Sequence, residues 1–576
     1  MAKLPNLPPQ HGNRGGFPRT TINAISLSIV HMIRDISALF SAVLLTATLV
    51  SPLAHACSSM MVTRGATMDG STMVTYNADA QFLYGELRYT PADRHMAGIQ
   101  RKVIDWETGE LLGRIPEVPA TYAVVGNMNE RQLTIAESSF TARKELTPPS
   151  GMLDYGSLIF IALERTKTAR EAILLMTRLA AEHGYSSYGE SFSIADPNEA
   201  WLMEMIGKGV GNKGAVWVAR RLPEGTLTAS ANHARITQFP LNDPDNTLYS
   251  PDVISFAREK GWYSGADKDF SFADVYNPFD FDAYRLTESR VWSIFRRAAP
   301  SLGLGPEYVD GSTLDKRLPL WVKPDRKLSA QDVMALIRDH FEDTPFDMSK
   351  DIGAGPYGLP YRWRPLWWDI DGKKYFNERA LSTQQTAFSF VAQMRGWLPD
   401  AVGGLLWFGF DDTALTVYTP MYVGIRKVPK NFAEGVADRG RFSWDSSFWV
   451  FNWVSSQAYA RWSDVVVDVQ KEKNALEGGF FASQAEVEKT AVEKYKQNPE
   501  AARNYLTEYS VRQGDKVHAH WRKFGEELFV KYLDGNVRED TGKINFPRPR
   551  EAWYRAIVRD TGRRLERGVQ PAVTPP

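Results

Sequence analysis

Cysteine is almost absent from this chain: Cys57 is the single one in 576 residues. One thiol cannot close an internal disulfide, so no cross-linked scaffold is available to the fold. An excess of charge is lacking too. The 68 basic residues balance the 68 acidic ones, which removes the compositional argument for a nucleic-acid partner or an anionic membrane surface. After Pro52 no apolar run reaches the roughly 18 residues that a membrane helix needs, so no stable span is expected beyond that point. Metal-ligand spacing is missing as well. His518 and His520 stand two apart on an expected helix, which turns their rings away from each other, and no acidic motif joins them. No metal and no other cofactor is expected. Gly209-x-Gly211-x-x-Gly214 matches a dinucleotide fingerprint formally, but it runs into a strand and lacks the helix start that would cradle a phosphate.

What is present centres on Leu53-Ala54-His55-Ala56-Cys57-Ser58-Ser59-Met60. The apolar run from Ile36 to Pro52 is short for a span and is followed by small residues, the pattern of a secretory signal with an A-x-A cut. Cutting after Ala56 makes Cys57 the first residue, with a thiol and an α-amine side by side. Three uses of that thiol stay open: a nucleophile, a lipid anchor, or an inert side chain. A lipoprotein cut wants an aliphatic residue three places before the cysteine and small ones at the next two. Ala54, His55 and Ala56 fit that poorly, because His55 is bulky and polar. An α-amine titrates near ~7.7–8.0 and a thiol near ~8.5, so the amine can serve as base for its own side chain. The nucleophile is the favoured reading. Residues 1–56 are read as an upstream segment plus signal, removed in the mature protein, with Met32 an alternative start.

Downstream, Ser58–Thr63 and Ser71–Asn77 read as a hairpin across the turn residues Arg64–Gly70, approximately symmetric about Thr67–Met68, which sets Cys57 opposite residues near Ala78 and brings Tyr76, Asn77 and Asp79 near it. Further strands are expected over 121–125 and 132–137. A helix is expected over 158–183, ended by Gly184. A four-strand meander over 191–195, 200–206, 215–220 and 226–231 follows. Residues 285–299 read as a helix and 355–370 as an aromatic loop over the site. Strands are expected over 386–394, 403–410 and 414–418. After about residue 430 the composition turns helical and charged, with helices over 448–462, 483–496, 499–534 and 550–567. Asp79 reads either as a strand-end carboxylate or as a group that orients the amine. Asn232 reads as a turn former or as an amide donor to an oxyanion. For Arg290 on its helix, a surface salt bridge is the ordinary reading.

Several separate stretches resemble one family. C-S-S-M-M-V at 57–62, G-S-T-M-V-T-Y-N-A-D at 70–79 and N-M-N-E-R-Q-L-T-I-A-E at 127–137 look like the dipeptidases of the N-terminal-nucleophile hydrolase class. More remotely they are similar to conjugated-bile-acid hydrolases and penicillin V acylases. By that resemblance Asp79 matches the carboxylate on the catalytic amine, Asn232 the oxyanion-hole amide and Arg290 the active-site arginine. Two positions depart from it: Tyr76 replaces an arginine, and Ser139 stands where the acylases carry asparagine. With Asn77, these two are candidate substrate contacts. Glu137 inherits no role.

The resemblance implies an α+β fold, a four-layer αββα sandwich with a C-terminal helical extension. The domains expected are a catalytic one over 57–430 and the extension over 431–576. It implies an exported enzyme, periplasmic or secreted, that cleaves small unblocked dipeptides through a thioester on Cys57. Two alternatives remain: an acylase acting on a non-peptide amide, and a lipoprotein binding module acylated at Cys57. Self-association is left open.

Overall fold

The computed structural model describes residues 57–568 apart from 107, 148 and 314. The signal segment and its cut, read above in residues 1–56, lie outside the described residues.

Two antiparallel sheets frame the molecule. The six-stranded sheet runs, edge to edge, Leu227–Ser230, Ser58–Val62, Thr72–Asp79, Thr386–Met394, Gly404–Phe410 and Thr419–Tyr422. Every residue of Ser58–Val62 and of Thr72–Asp79 is buried. Burial without alternation means that both faces of these strands are covered. Neighbouring side chains point opposite ways, as a period of two demands. Ser59 Oγ meets Ser193 Oγ of the second sheet at 2.7 Å, while Ser58 Oγ accepts from Arg290 on a helix at 2.6 Å.

The eight-stranded sheet has Ala215–Arg221, Ala200–Gly207, Gly189–Ala195 and Thr134–Phe140 at its centre. Helices Tyr155–Arg165 and Ala169–His183 share a core with it, built from Leu158, Ile173, Ile194 and Trp201 among others. Helices Ser289–Ala298 and Ala330–Ile337 meet the six-stranded sheet instead. The fold is therefore mixed α and β, with antiparallel sheets, in keeping with the α+β expectation.

Several expectations are corrected. The meander stops after three strands, because Leu227–Ser230 leaves that sheet and pairs with Ser58–Val62, Ser59 facing Ser230. The helix over 158–183 is two helices. Thr166 Oγ1 donates to Ala162 O at 2.7 Å, closing the first, and the Thr168 side chain caps Glu171 N at 3.2 Å, opening the second. Gly184 ends the pair with φ at 83°, as its position predicts. Residues 414–418 form a turn, because Asp412 accepts from Ala414 N at 3.0 Å, and the strand begins at Thr419. The aromatic loop contains an exposed hairpin, Trp367–Ile370 against Lys373–Phe376, turned by Asp371-Gly372, both at positive φ. The helix expected over 483–496 is the end of a longer one, Trp462–Gln497.

The helices Ser447–Ala460, Trp462–Gln497 and Pro499–Lys531 share one core with the six-stranded sheet. Trp521 stacks on Phe451 at 5.1 Å and is fully buried in the same cluster as Trp407 and Met421. Trp521→Ala is expected to lower stability by about 3–5 kcal/mol. Chemical denaturation followed by both far-ultraviolet signal and tryptophan emission should show one shifted transition. A separate early transition of the helices alone would contradict a shared core.

Candidate active site

The hairpin register places Ser58 opposite Asn77 and so Cys57 opposite Ala78, as the sequence predicts. Strands pair with Ser58–Val62 on both sides, which fixes the residue before it. The Cys57 carbonyl accepts from Ser138 Oγ at 3.2 Å and from Arg290 Nη1 at 3.0 Å. Its thiol is 1% exposed.

The thiol lies 3.5 Å from Tyr76 Oη. Tyr76 in turn donates to Glu137 Oε1. A phenol carries one proton, so with that proton directed at Glu137 the thiol is the donor in the first contact. Ser139 Oγ donates to Glu137 Oε2 at 3.3 Å. Burial, then the charges of Glu137 and Asp79, push the Cys57 thiol well up. These surroundings favour the thiol over the thiolate. Among the described residues no imidazole is bonded to it.

Asp79 ends its strand at an irregularity in the pairing with Thr386–Met394. Its carboxylate accepts from Thr386 Oγ1 at 2.7 Å and from Arg379 Nη2 at 3.2 Å. Burial outweighs these partners and holds the Asp79 carboxyl up at about 6. Asn77 turns to the other face of the strand from Tyr76 and donates to Leu381 O at 3.2 Å. It is thus placed away from the thiol, unlike the expected substrate contact.

Asn232 follows the edge strand with φ at 67°, in the left-handed region that asparagine tolerates better than most residues. Its Oδ1 accepts from Arg290 Nη2 at 2.7 Å and from Arg379 Nη1 at 3.4 Å. Two cations on the carbonyl oxygen fix the amide orientation, so that Nδ2 faces the opposite way and donates to Ser139 O at 2.5 Å. Asn232 N donates to Ser138 Oγ at 2.6 Å.

The surface reading of Arg290 is overturned, since its side chain is completely buried. All five of its N–H groups are engaged: Nε with Leu286 O, Nη1 with Cys57 O and Ser58 Oγ, Nη2 with Ala231 O and Asn232 Oδ1. The geometry makes it an organiser of the two strand ends, with its donors already committed to protein atoms.

Cys57, Tyr76, Asp79, Ser139, Asn232 and Arg290 are thus gathered into one buried cluster. Sequence reasoning missed Arg379, Ser138 and Thr386 and gave Glu137 no place. Arg379 sits 300 positions from its partner Asp79, and no local spacing announces such a contact.

A lone buried thiol among carboxylates and oriented amide donors, on a strand held from both sides, fits the centre of a cysteine-type peptidase. The chain belongs to peptidase family C69, whose pattern matches residues 56–475. Among similar proteins is a probable dipeptidase of Latilactobacillus sakei, 25% identical over 400 residues, covering 66% of this chain and 76% of that protein. A probable dipeptidase of Salmonella dublin is 25% identical over 397 residues, covering 64% and 82%. Dipeptidase A of Lactobacillus helveticus is 21% identical over 416 residues, covering 68% and 80%. The family resemblance read from the sequence motifs is borne out.

His233, beside Asn232, stacks on Phe279 with ring centroids 4.3 Å apart. Burial, helped by Arg317 and Arg235, holds its imidazole down at about 3. The unfolded chain takes up a proton there below about 6.5, which the folded protein refuses. Stability is therefore lost as pH falls from about 6.5 towards 3. His233→Phe should recover about 2 kcal/mol relative to its effect at pH 8 when melting is compared at pH 5. An identical effect at both pH values would show that the imidazole is not excluded from protonation.

Proposed function

We propose that this protein is an exported dipeptidase that hydrolyses unblocked dipeptides through a thioester on Cys57. The observation that carries the mechanism is the buried thiol, whose surroundings disfavour a thiolate and to which no imidazole is bonded among the described residues. An α-amine on Cys57 itself, made by cleavage after Ala56, is the base that such a thiol needs. In this reading the frame is the four-layer αββα sandwich of N-terminal-nucleophile hydrolases. The two facing sheets and the helices that meet each of them support that assignment.

The amine takes the thiol proton, and the thiolate adds to the scissile carbonyl. The oxyanion is stabilised by Asn232 Nδ2 and a backbone N–H. The protonated amine then gives its proton to the leaving amine as the C–N bond breaks, leaving the acyl group on Cys57 Sγ. Water, deprotonated by the same amine, resolves the thioester. Asp79, held by Arg379 and Thr386, orients the amine. Arg290 holds the Cys57 carbonyl and the Asn232 amide in register. An oriented donor of the Asn232 kind is worth on the order of 3 kcal/mol.

Cys57→Ala is expected to abolish turnover of a panel of free dipeptides, and Asn232→Ala to lower it about a hundred- to a thousandfold. Thiol alkylation should inhibit and EDTA should not. An Asn232→Ala enzyme within twofold of wild type would remove the oxyanion role. Intact-mass analysis of the mature protein should give a chain starting at Cys57 without an adduct. Turnover of penicillin V or a glycine-conjugated bile salt with no dipeptide activity would favour the acylase alternative.

A further inference from the structure

Next to Asp79 lies a cavity of about 160 Å³ whose wall includes Gln81, Arg364, Glu378, Arg379, Gln384 and Gln385. That is far more than the ~10–15 Å³ a single water needs. Arg379 forms part of this wall and donates to Asp79, and Gln385 directly precedes Thr386, which holds the other Asp79 oxygen. The cavity therefore adjoins the catalytic cluster.

Its polar groups are unbalanced towards donors. Gln385 Oε1 accepts from Gln81 Nε2 at 3.3 Å and from Arg364 Nη2. Two donors on the oxygen pin the amide, so its nitrogen is the end left over. Gln385 Nε2 and Gln384 Nε2 are both buried without a hydrogen-bond partner, against one such acceptor on the same wall, Glu378 Oε2. Buried unpaired donors are costly, and two at one cavity point to an acceptor that occupies it. Arg364 stands at the exposed side of the cavity and forms no ion pair among the described residues. Arg362 is by contrast committed to Asp351, with both contacts at 2.6 Å. Glu378 is the one acid on the wall. Arg285 pairs with it, and burial raises its carboxyl to about 7, so near neutrality its opposition to an anion is reduced.

We propose that this cavity binds the free α-carboxylate of the substrate's C-terminal residue, with Arg364, Gln384 and Gln385 as its anchors. The proposal rests on the dipeptidase reading and supplies what an enzyme confined to two-residue substrates requires: a fixed stop for the charged end. An arginine fork with two amide donors suits a planar carboxylate, whereas a neutral carboxamide at the same place brings its own N–H groups against them.

The test compares alanyl-alanine with alanyl-alanine amide. Wild-type enzyme is expected to favour the free acid by about 100-fold in kcat/KM. Arg364→Gln should lower that preference by about 10- to 100-fold, chiefly through a higher KM for the free acid. Arg364→Lys should restore part of it. Gln385→Leu, similar in size but without the donor, should act in the same direction and serves if Arg364→Gln folds poorly. An unchanged preference in both variants, or equal losses on both substrates, would overturn the proposal. Wild-type enzyme idle on both substrates would sink the dipeptidase reading itself, a result distinct from either of those.

Discussion

The buried guanidinium of Arg290 is the interaction on which the centre depends. It ties together two neighbouring strand ends: Cys57 and Ser58 at the start of a central strand, and Ala231 and Asn232 just past the edge strand paired with it. A cation taken out of water is tolerated only when its hydrogen-bonding capacity is met, and here every N–H has a partner. The same bonds that satisfy the charge fix the distance between nucleophile and amide. A lysine there, with three donors in place of a planar fork, has too few to hold both strand ends.

Around that fixture burial and the neighbouring charges weigh against a thiolate at Cys57. Glu137 and Asp79 both disfavour a thiolate, and burial reinforces them. Arg379 divides its donors between Asp79 and Asn232 and so couples that carboxylate to that amide. Tyr76, standing where the family resemblance implies an arginine, makes the thiol's neighbour a neutral hydrogen-bonding group linked to a carboxylate. The departure seen in the sequence therefore has a structural counterpart, the contact with Glu137, which an arginine would have met as an ion pair.

What was legible in the sequence is what local physics encodes. The hairpin after Cys57 pairs symmetrically about Thr67 and Met68, so the pairing with residue 78 followed from alternation and symmetry. Gly184 as a helix stop, and the strands over 386–394 and 200–206, also stand where turn residues and apolar runs put them. The switch of Leu227–Ser230 from one sheet to the other was not legible, because a strand buried on both faces looks alike in either. Nor was Arg379, in an irregular segment whose partner lies 300 positions away. Asn232 was visible as a residue type, but its orientation depends on two arginines that only the fold brings together.

The six-stranded sheet and the cavity wall differ in kind. Cys57 adjoins a strand paired on both sides, whereas Arg364 sits on irregular chain before an exposed hairpin, and Gln384 and Gln385 on irregular chain between that hairpin and the next strand. Substitutions in the wall alter no ladder hydrogen bond, while any shift of the nucleophile strand would disturb three strands at once. The buried cluster is therefore held by the ladder itself, whereas the wall is free to change its side chains without loosening the strands behind it.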